Sequence, residues 1–233
     1  MAYDPLYLVI MLGSMALSWL AGSRLQHAFQ RYSQVPMSLT GREIALRMLA
    51  DAGIGDVEVT GVPGQLTDHY NPATKRVNLS EAVYGTRSLA AAAVAAHECG
   101  HAVQHTKGYS ALRMRSALVP VVQISSRLAQ YVIMAGLVLM GVAQGGFPWV
   151  LLAGIILFGF STLFSLVTLP VEFDASRRAL LWLEQTGVAR GEQHDMAKDA
   201  LKWAAMTYVV AAIASLGHLF YYVMVFLRAR NQD

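Results

Sequence analysis

The chain has 233 residues, of which 55% are hydrophobic and 14% charged, and its mean hydropathy is +0.41. That balance excludes an ordinary soluble domain and indicates a membrane protein. A net charge of +3 is too small to signal a nucleic-acid partner, and a single cysteine, Cys99, excludes an intrachain disulfide.

Residues 5–22 form an uncharged apolar stretch just long enough to cross a bilayer. Met1-Ala2-Tyr3-Asp4 before it carries an acid and no Lys or Arg, and no small-x-small cleavage pattern stands out. The stretch therefore reads as a retained anchor rather than a secretory signal.

Residues 23–116 are polar and read as a small α+β catalytic unit. Thr40 stands at the N-cap of a periodic helix that Gly53 ends. Residues 57–62 alternate as a strand should, Leu66 to Pro72 read as a strand end running into a turn, and Lys75 to Leu79 read as a second strand. A helix is expected to start at or just after Ser80. The Lys75–Leu79 strand is expected at a sheet edge, where an extended substrate can pair with it, and Asn78 on it is a candidate substrate contact. Asp68 and His69 are candidates to orient a metal ligand or to stabilise an oxyanion; Asp68 suits equally a turn in which it bonds nearby backbone amides.

The alanine-rich run from Ser88 to Ala96 is made of strong helix formers and leads into His97-Glu98-Cys99-Gly100-His101. This is H-E-x-x-H. On a helix the two imidazoles lie one turn apart on one face and can hold one zinc ion, while Glu98 stands beside that face as a general base for water. Cys99 points roughly 200° away from His97, toward the domain core.

A catalytic zinc ion takes three protein ligands and keeps one position open. His105 is excluded by distance: eight residues beyond His97 on one helix, it lies about 12 Å further along the axis. Residues 128–171 contain no Asp, Glu, Lys, Arg or His, enough for two passes (128–144 and 148–169), divided at Gln144-Gly145-Gly146-Phe147-Pro148. Glu172 follows that run, with Pro170 fitting the first turn of a new helix segment. Two crossings return the chain to the side it left, so Glu172 can meet the zinc helix. Glu172 is the first candidate for the third ligand, and His69 and His194 remain alternatives. Residues 170–202 form the third-ligand segment: a helix over 174–184, a stop at Gly187, and a second helix from about Glu192. A last apolar stretch, 203–227, contains His218 as its only ionisable group. Arg127 and His218, beside and within predicted spans, are expected to snorkel or to find a polar partner.

Three blocks resemble the YugP-like bacterial neutral zinc metallopeptidases, small integral-membrane proteins: Leu66 to Pro72, Ala96 to Gln104, and Thr168 to Ala179. The likeness covers nearly the whole chain. More distantly the chain is similar to the membrane gluzincins, which include the heat-shock and prenyl-protein proteases. That resemblance implies a small gluzincin-like protease domain carried on four transmembrane helices, a protein or peptide substrate and one zinc ion. It also implies a Glu ligand after a transmembrane hairpin, with an Asp four residues later supporting a His ligand. Here Ser176 occupies that position, and Asp174 is near it on another helix face.

Lys and Arg cluster beside the spans on one side, at Arg24, Arg31, Arg113, Arg115, Arg127, Arg177, Arg178, Lys198 and Lys202, against Arg228 and Arg230 on the other. The positive-inside bias places the catalytic segment in the cytoplasm and both termini outside, in a bacterial inner membrane. The rival function is a membrane adaptor with a structural zinc site. Such sites are closed by four ligands and rich in cysteine, which one Cys cannot supply. Substrate identity, membrane-protein partners and self-association are open from the sequence.

Overall fold

A computed structural model describes residues 4–142 and 148–231. Of the expected turn at 144–148, residues 144–147 lie outside the described residues and Pro148 starts a helix. The architecture is mostly helical: α1 (Pro5–Ser33), α2 (Gly41–Asp51), β1 (Glu58–Val62), β2 (His69–Asn71), β3 (Arg76–Ser80), α3 (Glu81–Tyr84), α4 (Leu89–Thr106), α5 (Ser110–Val142), α6 (Pro148–Gln185) and α7 (Glu192–Arg230). Four of the helices, α1, α5, α6 and α7, are long and apolar enough to cross a membrane.

These long helices run well past the apolar stretches that mark them. The α5 helix begins at Ser110, before the charge-free run, and takes in Pro120 and the exposed Arg127. Pro170 does not start a new helix; it lies inside α6. A proline there forfeits one backbone hydrogen bond, and the helix continues because Val171, Ala175 and Ala179 beyond it are fully buried. The polar segment from Glu192 and the last apolar stretch are likewise one helix, α7.

The chain divides into two compact units. The first comprises Met1–Trp19, Met114–Leu169 and Tyr208–Asp233. Its apolar side chains point outward: Val9, Leu12, Met15, Ile124, Tyr131 and Phe220 are all exposed, the pattern of helices solvated by lipid. Within it α5 and α6 come close where Gly136 faces the Leu151 backbone; a Cβ on Gly136 would lie 2.6 Å from Leu151 N. Small residues at such points allow tight helix approach in a membrane. His218 Nδ1 lies 2.7 Å from the Ala214 carbonyl oxygen, one turn back on α7, so its polar partner is backbone.

The second unit comprises Leu20–Arg113 and Pro170–Thr207. Its α2 starts with a reciprocal cap: Thr40 Oγ1 accepts from the Glu43 N–H, and Glu43 Oε2 accepts from the Thr40 N–H. Gly53 follows that helix at a φ of +70°, as the local sequence predicts. The three strands form one sheet in the order β1-β3-β2, with β3 parallel to β1 and antiparallel to β2. The Arg76–Ser80 strand is therefore central, and the expectation of a substrate-pairing edge at Lys75–Leu79 is corrected: both its sides are taken. The open edges are β1 and β2. One sheet face, with Val59, Tyr70, Val77 and Leu79, packs into a core shared with α2, α3 and α4.

Candidate metal centre

The α4 helix begins at Ser88, whose hydroxyl accepts from the Ala91 N–H. Ala91, Ala92, Ala93, Ala95 and Ala96 are fully buried, so the first turns are sunk in the core. Beyond them His97 and His101 project together, with ring centroids 4.8 Å apart and planes at 84°. The helix is unbroken to Thr106, which keeps His105 out of the cluster. Instead, Tyr70 Oη lies 2.7 Å from His105 Nδ1.

Glu172 on α6 meets the histidine pair. Its Oε2 lies 3.2 Å from His97 Nε2 and 3.7 Å from His101 Nε2. One donor atom from each of the three residues lies within 4.8 Å of the other two. Tetrahedral zinc with bonds of about 2.0–2.1 Å separates its ligand atoms by roughly 3.3 Å, so the spacing fits.

The approach of α6 to α4 depends on Gly100. A Cβ there would fall 2.6 Å from the carbonyl oxygen of Ala175, between Asp174 and Ser176. Gly100→Ala is therefore expected to cost about 1–3 kcal/mol by overpacking and to loosen Glu172 from the histidines. A lowered melting temperature together with weaker zinc retention would report it; an unchanged variant would contradict the close approach.

Hydrogen bonds behind the imidazoles fix their chemistry. Gln104, fully buried, donates through Nε2 to the Val171 carbonyl at 2.8 Å and to Asp174 Oδ2 at 2.9 Å. With both its protons so used, the oxygen Oε1 is the atom 3.0 Å from His101 Nδ1. Nδ1 therefore donates to Gln104, which turns His101 Nε2 toward the Glu172 carboxylate. Ser176 Oγ lies 3.1 Å from His97 Nδ1, so the residue that departs from the gluzincin pattern supports His97, while Asp174 supports His101 through Gln104. Asp174 is itself held by Arg177 and Arg178. Gln104 is the residue that sequence reading missed. The signal was its position three residues after His101, on the same helix side.

Glu98 is buried, with Oε2 accepting from the Tyr70 N–H at 2.8 Å. Burial pushes its carboxyl up to about 7; His97 and the Tyr70 N–H oppose the rise, and Glu172 and Asp68 add to it. A carboxyl with that affinity for a proton is suited to general-base work near neutrality.

The other sequence candidates lie elsewhere. Asp68 accepts from the Ser80 N–H and hydroxyl, at 2.7 and 2.9 Å, which ties the start of β2 to the end of β3. His69 lies outside the cluster: its Nδ1 is 2.8 Å from the Thr67 carbonyl and its Nε2 3.1 Å from Asn78 Nδ2. His69 and Asn78 pair across the sheet on the face opposite Tyr70 and Val77, turned away from the core side. His194 lies 4.0 Å from Glu184 and outside the cluster. Cys99 is fully buried against the Ala45 carbonyl, and burial pushes its thiol up, so it is an inert core residue.

Residues 7–227 match the model of the family described as "putative neutral zinc metallopeptidase". The chain belongs to that family. It is also 40% identical over 230 residues, 98% of this chain and 100% of the relative, to the "Putative membrane protease YugP" of Bacillus subtilis strain 168. No solved structure matches.

Proposed function

We propose that the chain is a zinc-dependent membrane endopeptidase of gluzincin-like design, hydrolysing peptide bonds at the cytoplasmic surface of the bacterial inner membrane. The observation that carries this reading is the meeting of the His97 and His101 nitrogens with the buried Glu172 carboxylate, close enough for one ion to bind all three. His97, His101 and Glu172 are the proposed ligands. Zinc bound there supplies Lewis acidity, polarising the scissile carbonyl and lowering the pKa of water toward about 7.

The protein's own groups do the rest. Glu98 takes a proton from the attacking water and delivers it to the leaving amine. The Tyr70 N–H aims the Glu98 carboxylate. Gln104 and Ser176 hold the two imidazoles in the orientation that directs Nε2 inward. The β2 strand is one of the two open sheet edges and the one beside Glu98, and an extended substrate would run along it. Cytoplasmic placement rests on the Lys and Arg bias beside the apolar stretches.

The reading is tested by chelation. Purified protein should cleave an unstructured protein substrate, lose that activity when stripped of metal, and regain it with one equivalent of zinc. Cleavage that persists in the stripped protein would refute it.

A further inference from the structure

A cleft of about 350 Å³ lies between the second half of α6 and the first half of α7, within the unit that carries the histidines. The mechanism above does not use it. Its floor is apolar, from Phe173, Leu180, Leu181 and Leu201. Phe173 and Leu181 are 49% and 46% exposed, so this surface is uncovered in the chain alone.

Three cations border the floor: Arg177, Lys198 and Lys202. Arg177 leans on Asp174. Neither lysine has an ion-pair partner among the described residues, and Lys202 only approaches the Trp203 ring, at 5.7 Å. The one acid in the lining, Glu184, faces His194. The cleft is thus an apolar trough with unbalanced positive charge.

Ser176 is common to this cleft and to the hydrogen bonds behind the histidines. It lines the cleft, and its Oγ is 3.1 Å from His97 Nδ1. A chain segment seated in the trough therefore lies behind His97, on the side of Nδ1, with the buried Ser176 between them. Its occupant must bring apolar side chains for the floor and negative charge for the lysines.

We infer that the α6–α7 cleft is a substrate subsite that seats an apolar peptide segment bearing an acidic residue, whose carboxylate is read by Lys198 and Lys202. This rests on the peptidase reading above.

The test uses full-length protein in nanodiscs of zwitterionic lipid. Binding is read by fluorescence anisotropy on the Glu98→Gln variant, which does not consume its ligand. The probes are apolar peptides identical except for one position, scanned along the sequence as Glu, Gln or Lys. At the position that meets the cleft, the Glu peptide should bind about tenfold tighter than the Lys peptide. Adding Lys198→Glu and Lys202→Glu should invert that order and leave Gln-peptide affinity within about twofold. An unchanged Glu-to-Lys ratio would overturn the subsite. So would lysine variants that bind every peptide normally but lose enrichment of phosphatidylglycerol, which would make the cleft a lipid site. Charge-selective binding without turnover by the unmutated chain would sink the peptidase reading and leave the peptide-binding cleft standing.

Discussion

The Glu98→Gln variant is expected to keep one zinc per chain and to lose proteolysis by about a thousandfold or more, the scale of a general base in a metal site. The substitution preserves size, and the amide oxygen can still accept the Tyr70 N–H that now goes to Oε2. It removes only the basic oxygen. Folding should suffer little, because Glu98 is buried and a neutral amide there costs less than an ionised carboxylate. Zinc content and cleavage rate, measured on one preparation, separate the two effects. Cleavage within a few-fold of the unmutated rate would remove Glu98 from the reaction.

The second large effect belongs to Glu172. Glu172→Gln should lower zinc affinity by more than about 100-fold, exceeding the loss usual for a residue that merely supports a ligand. The carboxylate is 3% exposed and sits between two imidazoles, so no solvent-borne anion substitutes for it easily. The Gln variant keeps the volume, so its metal-free melting temperature should stay near that of the parent, and a chelator competition then reports ligand loss alone. Affinity within threefold of the parent would mean that another group completes the site.

The sequence made the centre legible because its decisive parts are local or obey a parity rule. An alanine-rich run set the helix under the two histidines, and an even number of apolar passes allowed Glu172 to return to them. Three things were hidden because they depend on what comes from elsewhere in the chain. Strand alternation in Arg76–Ser80 says nothing of how many neighbours flank it, and β3 turned out to be central. The charge-free run marks the apolar part of a helix and not its ends; Arg127, Pro170 and Lys202 all sit inside continuous helices. Gln104 acquires its role only because α6 brings Val171 and Asp174 within reach of its amide. His69, an alternative to Glu172 in the sequence, has Thr67 and Asn78 on its two nitrogens, partners that its own neighbours in the chain do not reveal.

The most direct test of the central claim is X-ray absorption at the zinc edge on purified full-length protein, with and without Glu172→Gln. The account predicts one zinc per chain in a light-atom shell of two imidazoles with carboxylate and solvent oxygen, and loss of that shell in the variant. A metal-free protein, a sulfur ligand from Cys99, or an unaltered spectrum in the variant would contradict it.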